Sequence, residues 1–201
     1  MSAGKKIRVA ITGNIGSGKS TFTGFLKKLG YPVIFAYELS KEILQNDPII
    51  RKQIISEFGA ESFDGDQINS KYLADKVFSD SRKLKKINSI LHPVVRKKID
   101  LLSKEYFKKY NVVFVEAALI FESKIDKLYD YIILISADLR TRISRNLTTR
   151  KLSEVEFLKR EKNQIAETEK MKKTDFIFRN DGSINDLEQK AHLLIKLLQL
   201  K

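Results

Sequence analysis

The residues best suited to chemistry stand near the start of the chain. They are Gly13, Asn14, Ile15, Gly16, Ser17, Gly18, Lys19 and Ser20, with Thr21 following. The order G-x-x-x-x-G-K-S lets the backbone curl until successive N–H groups face one anion. Lys19 is then placed to reach the β- and γ-phosphates of a nucleotide, and the Ser20 hydroxyl to bind Mg²⁺. A helix starting at Ser20 would add its positive N-terminal dipole to the same anion. These residues predict a site for a nucleoside triphosphate with Mg²⁺.

Other candidates are scattered. Glu116 directly follows an apolar run, where a carboxylate can orient Mg²⁺ or its water; a strand-end carboxylate on the surface is the plainer alternative. Arg142, Arg145 and Arg150 cluster before a polar stretch. Such a group suits a lid whose arginines neutralise migrating phosphate, or equally a basic helix end favoured by its own dipole. His92, one of two histidines, precedes Pro93 and reads first as a turn residue.

These groups need a scaffold. Apolar runs at residues 8–12, 32–36, 112–115, 131–135 and 175–178 have the length and composition of buried strands. Helical spacing intervenes: Phe22, Phe25, Leu26 and Leu29, then residues 138–147, 157–171, and a final helix through Leu187, Leu194 and Leu197. Pro48 and Pro93 suit the first turns of new helices, and Asp64, Gly65 and Asp66 a turn. Alternating strands and helices predict a parallel sheet covered on both faces. The long helical stretch between the second and third strands predicts an inserted subdomain.

Composition limits the rest. The 201 residues are 42% hydrophobic and 31% charged, the balance of a soluble globular protein. No apolar run is long enough to span a bilayer, no secretory signal opens the chain, and there is no cysteine. The expected location is the cytoplasm. The net charge of +13 concentrates in two segments, residues 82–109 with 10 basic against 2 acidic residues, and 140–173 with 11 against 5. Three readings fit: a nucleic-acid surface, solvated helix faces, or a field that attracts a polyphosphorylated small molecule. The motifs favour the last two.

Read together, these segments resemble the dephospho-coenzyme A kinase family over nearly the whole chain. The resemblance runs from residues 11–21 and 29–34 through Glu57-Phe58-Gly59, Val77-Phe78 and Leu91-His92-Pro93-Val94. It continues in Leu119 to Ser123, Gln164, Thr174 to Ile177, and Asn180-Asp181-Gly182. The resemblance implies an α/β P-loop NTPase fold with a five-stranded parallel sheet, a helical substrate-binding insert and a lid. It implies one kinase domain with core at about 1–37 and 111–201, insert at about 38–110 and lid at about 142–170. The implied reaction moves the ATP γ-phosphate, with Mg²⁺, to the 3′-hydroxyl of dephospho-CoA, the last step of coenzyme A synthesis. Lys19 and Arg145 would be catalytic, residues 13–21 would bind the nucleotide, Ser20 the metal, and His92, Arg96 and Glu116 the acceptor. The expected protein is a monomer or weak homo-oligomer without a membrane or specific nucleic-acid partner.

The pattern breaks at one place. Where the family reads Asp-Ala-Asp after its second strand, this chain has Phe35-Ala36-Tyr37. The second aspartate is the family's base, and a phenol, protonated near neutral pH, is no carboxylate. Glu116, or the less well placed Glu38, could take over. Ser70 and Thr149 also stand where the family has arginine, with Arg150 beside the latter. A weakened relative that binds ATP or CoA-like ligands is therefore the alternative.

Overall fold

β1 (Ile7–Thr12) opens the fold as an apolar run buried at all but one position, the signature of a strand covered on both faces. The computed structural model describes residues 5–149 and 152–199, the side chains of Phe78 and Thr149 excepted. After β1 come α1 (Lys19–Lys28), β2 (Val33–Phe35), α2 (Ala36–Asn46) and α3 (Pro48–Phe58). Then follow β3 (Phe63–Asp64), β4 (Gln67–Ile68), α4 (Ser70–Phe78), α5 (Ser81–Tyr106), β5 (Val112–Glu116) and β6 (Tyr131–Ser136). The chain finishes with α6 (Leu139–Thr149), α7 (Glu154–Lys162), α8 (Glu167–Met171), β7 (Phe176–Arg179) and α9 (Ile184–Leu197).

The described residues divide into two compact units: one runs to Phe35 and resumes at Leu102, and the other is Ala36–Leu101. The first unit holds the expected five-stranded sheet, in the order β2-β5-β1-β6-β7, with every neighbouring pair parallel. One face is packed by Phe22, Phe25 and Leu26 of α1 and by Leu187, Ala191 and Leu194 of α9, against Val9, Ile11, Phe114, Ile133 and Ile135. Phe22 stacks on Phe178 with centroids 5.7 Å apart. Ala10 and Ile132 on the other face meet Ile120 and Phe121. Register aligns Ile11 with Glu116, so β5 ends beside the point where β1 feeds the glycine-rich loop.

In the second unit, Asp47 caps α3 through the Ile49 and Ile50 N–H groups, and Pro48 occupies the first turn where no N–H is needed. The 64–66 turn lies in a small β3–β4 hairpin, held by Gln45, which donates to the Asp66 carbonyl at 2.6 Å and accepts from the Ile68 N–H at 3.1 Å. Pro93 departs from expectation, for it lies inside α5 instead of starting a helix. Interior proline forfeits one backbone bond, but Ile87, Leu91, Val95 and Ile99 form a buried stripe four residues apart on both sides of it. Continuing the helix keeps that stripe buried.

The single helix expected over 157–171 is instead two, α7 and α8. The interruption has a cause. Ile165 N–H donates to Glu122 Oε1 at 2.8 Å and Gln164 turns to the glycine-rich loop, so the backbone leaves the helical path. Ser153 starts α7 with a reciprocal bond pair to Glu156. Among the described residues, no helix is long and apolar enough to cross a membrane.

Candidate active site

The loop between β1 and α1 is shaped by glycines that no other residue could replace in place. Gly18 caps α1 at φ 94°, and a Cβ there would lie 2.1 Å from Asn180 Nδ2. Gly16, at φ 79°, would set a Cβ 2.7 Å from the Arg142 carbonyl. Left-handed backbone and close neighbours both require glycine. Asn180, almost fully buried after β7, donates to the Ser17 carbonyl at 2.8 Å and so ties the loop to the neighbouring strand end. The Ser17 N–H bonds to the Asn14 carbonyl at 3.1 Å, and Lys19 Nζ bonds to that same oxygen at 3.2 Å.

Behind the loop, Glu116 ends β5 with both carboxylate oxygens engaged. Oε1 accepts from the Ser20 hydroxyl and Oε2 from the Thr23 hydroxyl, each at 2.8 Å. Ser20 and Thr23 share a face of α1 because they are three residues apart. One hydroxyl and one carboxylate are hard oxygen donors suited to Mg²⁺, which takes few protein ligands and completes its shell with phosphate and water. No group of three His, Cys, Asp or Glu that could hold a metal by itself exists among the described residues.

The arginines divide by role. Arg142, expected among the mobile lid charges, is buried: its guanidinium meets Glu161 at 2.6 and 2.8 Å and donates to the Ala137 and Ile15 carbonyls at 3.0 and 3.2 Å. A cation committed in this way is part of the scaffold, which corrects the expectation. Burial pushes the Glu161 carboxyl up, but bonds from Arg142 and Asn14 and the charges of Arg142 and Lys170 outweigh it and hold the group below its ordinary value. Nearby, wholly buried Lys170 pairs with Glu122 at 3.0 Å. Arg145 lies one turn beyond Arg142. Burial raises the Asp181 carboxyl in the turn after β7, but the Asp138 N–H, the Arg179 guanidinium and, last, the charge of Arg145 hold it below its ordinary value. Arg150 lies outside the described residues.

Tyr37, His92 and Arg96 belong to the second unit. Tyr37, the second residue of α2, is 69% exposed, with Lys41 Nζ 4.5 Å from its ring centroid. His92 and Arg96 stand one turn apart on α5. His92 is half-buried, and burial pushes its pKa down; Arg96 is exposed.

Several contributors to the site escaped sequence reading. Thr23 was findable, being one turn along from Ser20. Glu161 was not, since its partners Asn14 and Arg142 lie 147 and 19 residues away with no local pattern. Gln164 and Asn180 were marked by the family resemblance but without a role.

Comparisons with known proteins point to one family. The family model described as dephospho-CoA kinase matches residues 7–186. A dephospho-CoA kinase from Thermus thermophilus is 35% identical over 184 residues, covering 91% of this chain and 87% of its own. A crystal structure of a Thermus thermophilus protein superposes with a TM-score of 0.81 at 33% identity, covering 98% of this chain and 99% of that one. Dephospho-CoA kinase from Campylobacter jejuni gives a TM-score of 0.70 at 29% identity, over 95% and 96% of the two chains. From the loop to the residues beyond β7, the chain belongs to the dephospho-CoA kinase family.

Proposed function

We propose that this protein transfers the γ-phosphoryl group of ATP to the 3′-hydroxyl of dephospho-CoA, releasing coenzyme A and ADP. The observation that carries this is the loop of residues 13–20 with Glu116 bonded to Ser20 behind it, in a chain of this family. The loop N–H groups and the α1 N-terminus hold the phosphates, and Lys19 leaves the Asn14 carbonyl to reach the β- and γ-phosphates. Ser20 and Glu116 would hold Mg²⁺, which neutralises charge on the phosphate oxygens when bound. Arg145 supplies further positive charge to the transferring group. His92 and Arg96 contact the acceptor.

Tyr37 bears on the rate. It occupies the family's base position as an exposed phenol, which favours a second reading of a weakened relative that binds ATP or CoA-like ligands. Loss of a general base costs about 10²- to 10⁴-fold, whereas positioning and electrostatics provide most of phosphoryl transfer. Glu116, the carboxylate bonded to Ser20, is the candidate to receive the hydroxyl proton, and in that role it would leave Mg²⁺ to Ser20.

The test is ADP release dependent on dephospho-CoA, for the parent and for Tyr37→Asp. Turnover in the parent supports the kinase. An increase of about 10²-fold or more in the aspartate variant assigns the base position and the weakened reading. Absence of turnover in both overturns the kinase reading.

A further inference from the structure

The crest of the phosphate loop is gripped from outside by residues that belong to no phosphate-binding motif in the sequence. Ile15 N–H donates to Gln164 Oε1 at 2.8 Å, and the Ile15 carbonyl accepts from Arg142 Nη1 at 3.2 Å. Asn14 Nδ2 donates to Glu161 Oε1 at 2.9 Å. Arg142 is itself fixed by its two bonds to Glu161 and by the Ala137 carbonyl, with only 5% of its side chain exposed.

Two adjacent peptide planes are thereby set. The Ile15 N–H belongs to the plane between Asn14 and Ile15, and the Ile15 carbonyl to the plane between Ile15 and Gly16. A trans peptide is planar, with its N–H directed opposite to its C=O. Arg142 draws the Ile15 carbonyl outward, so the Gly16 N–H must face the other way, into the loop. The Gln164 bond removes the remaining freedom by fixing the preceding plane. We infer that Gln164 and the buried Arg142–Glu161 pair are positioning residues that aim the Gly16 N–H at the triphosphate.

The role inferred for these three side chains requires no bond from them to the nucleotide. Their effect is to hold the loop in its binding shape before the ligand arrives, so that binding energy is not spent on ordering it. The inference rests on the nucleotide half of the proposed function and is independent of the acceptor.

The test is calorimetric binding of ADP and of inorganic tripolyphosphate, well below the melting transition, to the parent, to Gln164→Met and to Arg142→Lys. Methionine keeps the length of Gln164 and removes the acceptor; lysine keeps the charge of Arg142 and removes the fork. Each variant is expected to bind both ligands about three- to tenfold more weakly, the scale of one hydrogen bond, with the KM for dephospho-CoA unchanged. Unchanged affinities, even with a lowered melting temperature, would show a merely structural role and overturn the inference. Weakening confined to ADP would overturn it too, by placing the effect at the nucleoside. A parent that binds neither ligand removes the nucleotide site itself. A parent that binds both yet leaves dephospho-CoA unphosphorylated defeats the proposed reaction, while the clamp is still judged on binding.

Discussion

Thr23 and Glu116 are joined by a 2.8 Å hydrogen bond from the threonine hydroxyl to carboxylate Oε2. The bond leaves Oε1 for Ser20, so the buried threonine orients the carboxylate beside the hydroxyl proposed to hold Mg²⁺. Thr23→Val keeps the shape and removes the donor. We expect a stability loss of about 1–3 kcal/mol, because a carboxylate oxygen loses its partner, and a several-fold lower kcat. Urea unfolding and steady-state kinetics measure the two. Glu116→Gln is expected to cost more, about 10²- to 10⁴-fold in kcat if this carboxylate receives the hydroxyl proton. A kcat within twofold of the parent would remove Glu116 from that role.

Asn180 bonds to the Ser17 carbonyl and fills the space over Gly18. Asn180→Ala removes one buried bond, worth about 1 kcal/mol, or a fall of about 2–4 °C in the melting temperature of a chain this size. ADP affinity should weaken with it, since the loop loses its tie to β7. Thermal unfolding with and without ADP reads both effects.

The Arg142–Glu161 pair makes stability depend on pH. The folded Glu161 carboxyl is held below its ordinary value of 4.5, so the unfolded chain binds the proton more readily. The stabilisation is complete above pH 4.5 and is lost as pH falls through the folded value. The double variant Arg142→Gln with Glu161→Gln avoids leaving a buried charge alone. Its denaturant midpoint should fall less steeply than the parent's below pH 4.5. Parallel curves would show that the pair makes no such contribution.

Much of the fold was legible because its signals are local. All five sheet strands announce themselves as short apolar runs, and the glycine spacing predicts the loop between β1 and α1. Pro93 misled because a local rule for proline competes with a buried stripe extending to either side of it. The helix expected over 157–171 misled for a similar reason: its break at residues 163–166 is set by Glu122 and Ile15, both remote in sequence. The site shows the same division. Lys19 and Ser20 are readable from spacing, whereas Glu161 acquires its partners only when β1, α6 and α7 are assembled.

The register of β5 against β1 has a further consequence. Glu116 faces α1 because the strand places it opposite Ile11, and side chains along a strand alternate between faces. A one-residue deletion within Val112–Val115 would turn the carboxylate toward the other layer while leaving every apolar residue type in a plausible strand. Changes of chain length are therefore most costly where the sequence looks most ordinary, and such a variant would fold as a sheet yet present no acid to the hydroxyls of α1.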